Sequence, residues 1–403
     1  MPKSILIVGT FDTKGEELNF VREQIIAKGF PTITLDAGIL QPSPPSVTIS
    51  NEEVAAAGGE ALSELIRMKD RGHAVEIMAK GAAQLAKELY EQGEILGIIS
   101  LGGGSGTVIG TKAMRSLPVG VPKLMVSSMA SGNTRPYVGT TDITMMFSVV
   151  DISGLNRISR KIFRNAALAI CGMVEGEHEE KIPERPLIAA TMFGVTTPCV
   201  TEAQRILEEE GYEVLVFHAN GSGGMAMEQL IGEGQIQAVL DITTTELADE
   251  LCGGKCSAGP HRLEKAGEMG IPQVVVPGAM DMVNYFPDAI PPQFRHRLFY
   301  VHNPATTLMR TNADENRQLG KIMAQKLAQA KGPVVVYIPL GGFSAIDAPG
   351  QPFYFPQANR AFIETLKMNL PPHITVVETE WHINDPAFAR EIAQVLLRFI
   401  KKS

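Results

Sequence analysis

Apolar positions along this chain come in short unbroken runs separated by stretches of helical period. Ile5-Leu6-Ile7-Val8 is a run of the kind that is buried on both faces of a parallel sheet. Gly9 to Gly15 punctuate the chain, and Leu18, Val21, Ile25 and Ile26 then recur at helical spacing until Gly29 stops the helix. A second apolar run, Thr32 to Leu35, ends on Asp36. Residues 5–36 therefore predict a β-α-β unit with a right-handed crossover. Beyond a Pro-rich loop (Pro42, Pro44, Pro45), the pattern predicts two helices over 51–70 and 73–92. Strands follow at 95–100, 123–127 and 143–149, with helices over 106–116 and 154–173.

The rhythm restarts with a strand at 187–191 and a helix over 199–211. Further strands are expected at 214–217, 238–242, 273–276, 298–301, 334–338 and 374–377, with a last helix over 386–401. Both halves alternate strand and helix, so the expected class is α/β with two open, mostly parallel sheets. No residue-level repeat relates them. Between them, residues 175–185 carry Glu175, Glu177, Glu179, Glu180 and Glu184 beside Pro183 and Pro186, a composition that suits a solvated linker. The expected domains are 1–178 and 186–403.

Composition narrows the class further. The 403 residues carry a formal charge of −8, which argues against a dedicated nucleic-acid or anionic-membrane partner. Four Cys cannot staple a chain of this length, so a reducing compartment is expected. Met1-Pro2-Lys3-Ser4 runs straight into the first strand, too short for a signal sequence, and no apolar run nears the roughly 20 residues of a membrane span. A cytoplasmic location is the expectation.

Ligands of open parallel sheets collect outside the carboxyl ends of the strands, so the polar residues just after each strand are the candidates. In the first half these are Thr10, Asp12, Thr13, Lys14, Asp36, the turn Gly102-Gly103-Gly104-Ser105-Gly106-Thr107, and Ser128, Ser131, Gly132 and Thr134. Glycines let backbone amides approach an anion, helix N-termini supply partial positive charge, and hydroxyls add donors, which together suit phosphate. Lys14 would neutralise it, Asp12 or Asp142 would hold Mg²⁺, and Asp36 stands where an acid accepts a ribose hydroxyl. Neither glycine turn is G-x-G-x-x-G, and Gly106–Lys112 lacks the Gly before Lys that a P-loop requires.

The second half has a different palette at its strand ends. His218, Glu246, Asp281 and His302 are the candidates for acid–base work. No H-x-x-x-H or H-E-x-x-H spacing supports a metal there. Cys252 and Cys256 lack the second pair that a structural zinc needs, and their glycine-rich loop is expected to touch a ligand or the other domain. Ser344 is not in a nucleophile elbow. The aromatic runs Tyr285-Phe286 and Phe353-Tyr354-Phe355 would suit a homodimer interface or a cleft wall.

The runs Gly9–Lys14, Gly102–Thr107 and Met129–Gly132 resemble one family. It includes the ATP-binding, inhibitory N-terminal region of the tomato mosaic virus resistance protein, with microbial relatives. The runs His218–Gly224, His261–Glu264, Pro277–Asp281, His302–Pro304 and Pro339–Ser344 resemble it as well, so the likeness covers essentially the whole chain. It implies two Rossmann-like three-layer domains, ATP bound by the first, and dimerisation. The implied nucleotide contacts are Thr10, Asp12, Thr13, Lys14, Asp36, Gly103, Gly104, Ser105, Gly106, Ser131 and Gly132. Viral inhibition belongs to the plant member and is not implied here.

Three functions are expected on these grounds. The leading one is an enzyme of small-molecule metabolism in which ATP on the first domain faces acid–base residues of the second. A nucleotide-sensing interaction or inhibitor module without turnover is another. The third is a hydrolase or lyase whose site lies in the second domain.

Overall fold

The computed structural model describes residues 3–176 and 185–401, so residues 177–184 of the expected linker at 175–185 lie outside the described residues. The chain separates into two compact units, Met1–Lys181 and Ile182–Ser403.

In the first unit, strands β1 (Ser4–Gly9), β2 (Thr32–Asp36), β3 (Ile95–Gly102), β4 (Lys123–Ser127) and β5 (Thr144–Phe147) form one sheet in the order β2-β1-β3-β4-β5. Every pairing in it is parallel. Each residue of β1 is buried, which is why its sequence is continuously apolar instead of alternating. Helices Phe11–Ala27 and Arg157–Glu175 cover one face, packing Leu18, Val21, Phe163 and Ile170 against Ile5, Ile7 and Ile99. Helices Asn51–Gly58, Arg71–Glu91 and Gly104–Met114 cover the other through Val54, Met78 and Ile109 against Leu6, Val8 and Ile98. The unit is a three-layer Rossmann-like fold.

One expectation changes here. The two helices predicted over 51–70 and 73–92 are three: Asn51–Gly58, Leu62–Met68 and Arg71–Glu91. Gly59 takes the left-handed conformation (φ 104°) that ends the first, and Asp70 caps the third by accepting the His73 N–H.

The second unit carries a parallel six-stranded sheet of β6 (Leu187–Met192), β7 (Glu213–His218), β8 (Ile236–Thr243), β9 (Gln273–Gly278), β13 (Val334–Pro339) and β14 (Thr375–Thr379). The order is β14-β13-β9-β8-β6-β7. Helices Thr197–Glu209 and Pro386–Ile400 pack on one face, and Ala313–Leu327 and Pro356–Asn369 on the other. It too is three-layered and Rossmann-like.

A feature the sequence pattern does not predict interrupts this unit. Strands β10 (Met282–Tyr285), β11 (Phe299–Asn303) and β12 (Thr306–Arg310) form a separate antiparallel sheet ordered β10-β12-β11. The run expected as a strand near 298–301 is thus half of a hairpin, not a member of the parallel sheet. Its turn, Asn303-Pro304-Ala305, closes when Ala305 N–H donates to Asn303 Oδ1 at 2.9 Å. No described helix is long and apolar enough to cross a membrane.

Candidate functional site

In a sheet ordered β2-β1-β3-β4-β5 the connections from β1 and β3 leave in opposite directions, which opens a crevice between the carboxyl ends of those two strands. A cavity of about 650 Å³ lies there, within the range of small-molecule sites. Thr10, Asp12, Thr13 and Lys14 line it from the end of β1, and Gly103, Gly104, Ser105 and Gly106 from the end of β3. Eight of the sequence-predicted residues are therefore brought together around one space.

The glycines of the β3 turn divide by role. A Cβ on Gly102 would come within 2.6 Å of Gly106 Cα, and one on Gly110 within 2.4 Å of Ser100 Oγ, so both serve close packing of helix on strand. A Cβ on Gly104 would meet nothing within 4 Å. Packing does not demand glycine at 104; it opens helix Gly104–Met114, whose first-turn amides have no intrahelical acceptor. Those amides, with the positive end of the helix dipole, give the cavity an edge of the kind that can accept an anion. Behind them Thr107 Oγ1 bonds Ser127 Oγ at 2.6 Å and donates to Gly103 O at 2.7 Å, which holds the turn to β4.

On the β1 side the helix breaks at once. Lys14 is non-helical (φ −127°, ψ 19°), and its Nζ donates to the Ile152 carbonyl while the residue lines the cavity. Thr10 and Thr13 bond each other through their hydroxyls at 2.9 Å. Asp12 Oδ2 accepts the Leu40 N–H at 2.9 Å, and Asp12 Oδ1 is buried without a partner. An unpartnered carboxylate oxygen is a donor of the kind that Mg²⁺ takes. Among the described residues no group of three His, Cys, Asp or Glu could hold a metal by itself.

Four expected contacts lie elsewhere. Asp36 is buried with Oδ1 accepting Phe11 N–H at 2.9 Å and Gly38 N–H at 2.8 Å, and Oδ2 accepting Ser43 Oγ at 2.7 Å. Its oxygens clasp the loop after β2, so it is not placed to receive a ribose hydroxyl. Ser131 and Gly132 are exposed on the loop after β4, away from the cavity lining. Asp142, the alternative Mg²⁺ ligand, accepts Lys123 Nζ and Gly120 N–H at 2.8 Å each and is also outside the lining. Conversely, Lys69, Arg71 and Asp151 line the cavity and were not expected. Arg71 Nη2 reaches Ser105 Oγ at 3.3 Å. The one local signal for Lys69 and Arg71 is the break between helical patterns at 70–73.

The acid–base candidates of the second unit do not form one site. Glu246 is fully buried: Oε2 accepts Arg262 Nε at 2.6 Å, and Oε1 accepts the amides of Gly221 at 2.7 Å and Gly224 at 3.1 Å. Arg262 is itself buried and binds Asp241 through two nitrogens at 2.6 and 2.7 Å. Burial pushes the Glu246 and Glu228 carboxyls up, against the pull of Arg262. The glycines at 221–224 are packing residues, in contrast to Gly104. A Cβ on Gly223 would lie 2.0 Å from His218 O, and one on Gly224 2.2 Å from Glu246 Oε2.

Asp281 sits in a different buried network. Its Oδ2 accepts Ser344 Oγ at 2.8 Å, its Oδ1 has no partner, and burial, helped by neighbouring Asp347, pushes it up to about 7. His218 is exposed and stacks on Phe193 with ring centroids 5.3 Å apart. His302 lies exposed within β11, not beyond the end of a parallel strand as expected. The loop carrying Cys252 and Cys256 is braced on its own unit: Asp249 Oδ1 accepts Cys256 N–H at 3.1 Å and Asn284 N–H at 3.0 Å. The aromatic runs are each split, since Tyr285 and Phe353 are core residues while Phe286, Tyr354 and Phe355 stay exposed.

The corresponding crevice of the second unit, between the ends of β6 and β8, is filled from within. Thr196 Oγ1 bonds Thr243 Oγ1 at 2.8 Å, Thr191 Oγ1 donates to Asp241 at 2.7 Å, and all four residues are buried.

Comparison with known proteins agrees on the organisation. Residues 3–179 match the N-terminal domain, and residues 185–400 the C-terminal domain, of the uncharacterised protein family UPF0261. A UPF0261 protein of Clostridium tetani is 51% identical, with both chains covered over 100% of their length. The ToMV resistance protein Tm-1(GCR237) of Solanum lycopersicum is 38% identical over 99% of this chain and 56% of that protein. Among solved structures, UDP-N-acetylglucosamine 2-epimerase from Rickettsia bellii aligns over 100% of this chain and 96% of its own at 9% identity, but its TM-score of 0.23 carries no argument. With both domains matched end to end, this chain belongs to the UPF0261 family.

Proposed function

We propose that the first unit binds ATP or a closely related phosphorylated small molecule in the crevice between β1 and β3. The observation that carries this reading is the pairing around one 650 Å³ space of an open glycine turn at a helix N-terminus with Lys14, Thr10 and Thr13. Phosphate would lie against the amides of Gly104, Ser105 and Gly106. Asp12 would hold an Mg²⁺ ion, which would offset the phosphate charge. The resemblance to the ATP-binding plant region supports the same ligand. The test is titration calorimetry of ATP against the intact chain and its Lys14→Ala variant. Loss of a charged contact predicts an affinity at least tenfold lower, and an unchanged affinity overturns the phosphate assignment.

Two activities are compatible with ATP in this crevice. In the first, ATP is consumed in small-molecule metabolism. In the second, the chain is a nucleotide-dependent interaction module without turnover. The buried commitments of Glu246 and Asp281 favour the second, because two of the four acid–base candidates are locked in structural networks. A phosphate-release assay over a metabolite panel separates them: turnover with any substrate supports the enzyme, and tight nucleotide binding with no turnover supports the module.

A further inference from the structure

The cavity of the first unit has two chemically distinct sides. Leu40, Leu65, Ile66, Val75, Met78 and Ile109 make the apolar one. Every polar side chain of the described lining belongs instead to the ends of β1 and β3, to the junction Lys69-Asp70-Arg71, or to Asp151. The apolar side therefore contributes no side-chain donor or acceptor and no aromatic ring. A binding site tells one base from another by hydrogen bonds to the ring edge, whereas an apolar pocket discriminates weakly between rings of similar size. The polar side is the opposite case. Three cations, Lys14, Lys69 and Arg71, border it, and the Arg71–Ser105 contact at 3.3 Å puts one guanidinium at the glycine turn. Lys69 is held in the left-handed conformation (φ 53°) and makes no hydrogen bond or ion pair with a described residue. Asp70, between them, is already spent on capping helix Arg71–Glu91.

We infer that this site reads the phosphate chain and is indifferent to the base, with Lys69 and Arg71 setting the preference for triphosphate over monophosphate. The inference rests on the proposed nucleotide site and deepens it. Lys14, on the β1 side, holds the phosphate nearest the sugar, and the amides of the β3 turn, beside Arg71, take those beyond it. Lys69 and Arg71 neutralise the charge that only a longer chain carries there.

The experiment is calorimetric titration of the intact chain with ATP, GTP, UTP and AMP in the presence of Mg²⁺, repeated on the double variant Lys69→Ala/Arg71→Ala. Both side chains are exposed, so the variant is expected to fold, and its thermal unfolding checks this. The expected result is that the three triphosphates bind within tenfold of one another and AMP binds more than tenfold weaker than ATP. The double variant is expected to lose most of the ATP-to-AMP ratio while binding AMP as before. A preference of more than tenfold for one base, or an unchanged ATP-to-AMP ratio in the folded double variant, overturns this inference and leaves the nucleotide site standing. Binding of none of the triphosphates overturns the nucleotide site itself. Should the variant not fold, the base series on the unmodified chain decides the first half and single Lys69→Gln and Arg71→Gln variants the second.

Discussion

The carboxylate of Asp12 occupies the place that a side chain on Gly38 would need: a β-carbon there would lie 2.4 Å from Asp12 Cγ. Asp12 in turn accepts the Leu40 N–H at 2.9 Å, so the acid and the loop after β2 hold each other beside the cavity. Gly38→Ala must push the carboxylate away. The expected outcome is a stability loss of about 1–3 kcal/mol from overpacking and an ATP affinity at least tenfold lower. Thermal unfolding and calorimetry read the two effects, and ATP binding at the original affinity would show that the position of Asp12 is immaterial.

The β3 turn offers a test in which two neighbouring glycines respond with opposite sign. Gly102→Ala drives a methyl group into Gly106 Cα and is expected to destabilise by about 1–3 kcal/mol. Gly104→Ala meets no protein atom and, at a helical position, is expected to stabilise by about 0.4–1 kcal/mol. Its methyl group enters the cavity, so the more stable variant should bind ATP less well. Unfolding midpoints and ATP titrations on both variants check this; a Gly104→Ala chain that is more stable and binds as before would remove the turn from the site.

Arg262 is the cation of a buried cluster that contains Asp241, Glu246 and Glu228. Arg262→Met leaves the acids without their partner in a low-dielectric interior. A loss of about 3–5 kcal/mol is expected, seen in urea unfolding of the second unit, while the cavity of the first unit contains none of these residues. An ATP affinity that falls together with stability would contradict this separation.

The pH dependence of stability should carry the mark of Asp281 and Asp249, both pushed up to about 7 by burial. Unfolded aspartates release their proton near pH 3.9. Between about pH 4 and pH 7 the folded chain keeps protons that the unfolded chain has lost. These two groups therefore favour folding most at the acid end, and their contribution falls as pH rises through that window and levels off above it. Asp281→Asn fixes the neutral form, since an amide does not ionise, and leaves Arg310 beside the Asp347 carboxylate, 3.3 Å away. The variant should melt higher than the parent chain at pH 8 and close to it at pH 5. An equal shift at both pH values would show that Asp281 does not titrate there.

Much of this architecture was legible along the chain. Continuous apolar runs such as Ile5–Val8 mark strands buried on both faces, and the Gly102–Gly106 turn marks a strand passing into a helix. The strands Met282–Tyr285 and Thr306–Arg310 were not legible. The first is four residues long and follows directly on the Pro277–Asp281 turn, and the second hides behind Asn303-Pro304. Strand-end residues also differ in how much they reveal. Thr10 and Lys14 reach the cavity as expected, but Asp36, in the equivalent place after β2, turns inward to the amides of Phe11 and Gly38. Nothing local to Asp36 distinguishes the two outcomes, because its partners come from 25 residues before it and from the loop after β2.

By itself the sequence determined the α/β class, the alternation of strand and helix in both halves, and the two turns that border the first cavity. All of these rest on short-range physics: burial on two faces selects apolar runs, and tight turns select glycine. Tertiary structure alone decided which polar residues face the cavity. It placed Arg71 beside the Gly102–Gly106 turn, about 30 residues away in sequence, and Lys69 on the same cavity, and it spent Glu246, Asp281 and Asp36 on buried partners. The reason is that a carboxylate or a cation reads the same in sequence whether it meets solvent, a ligand or a buried counter-charge. Only the packing of distant elements settles which of these it meets.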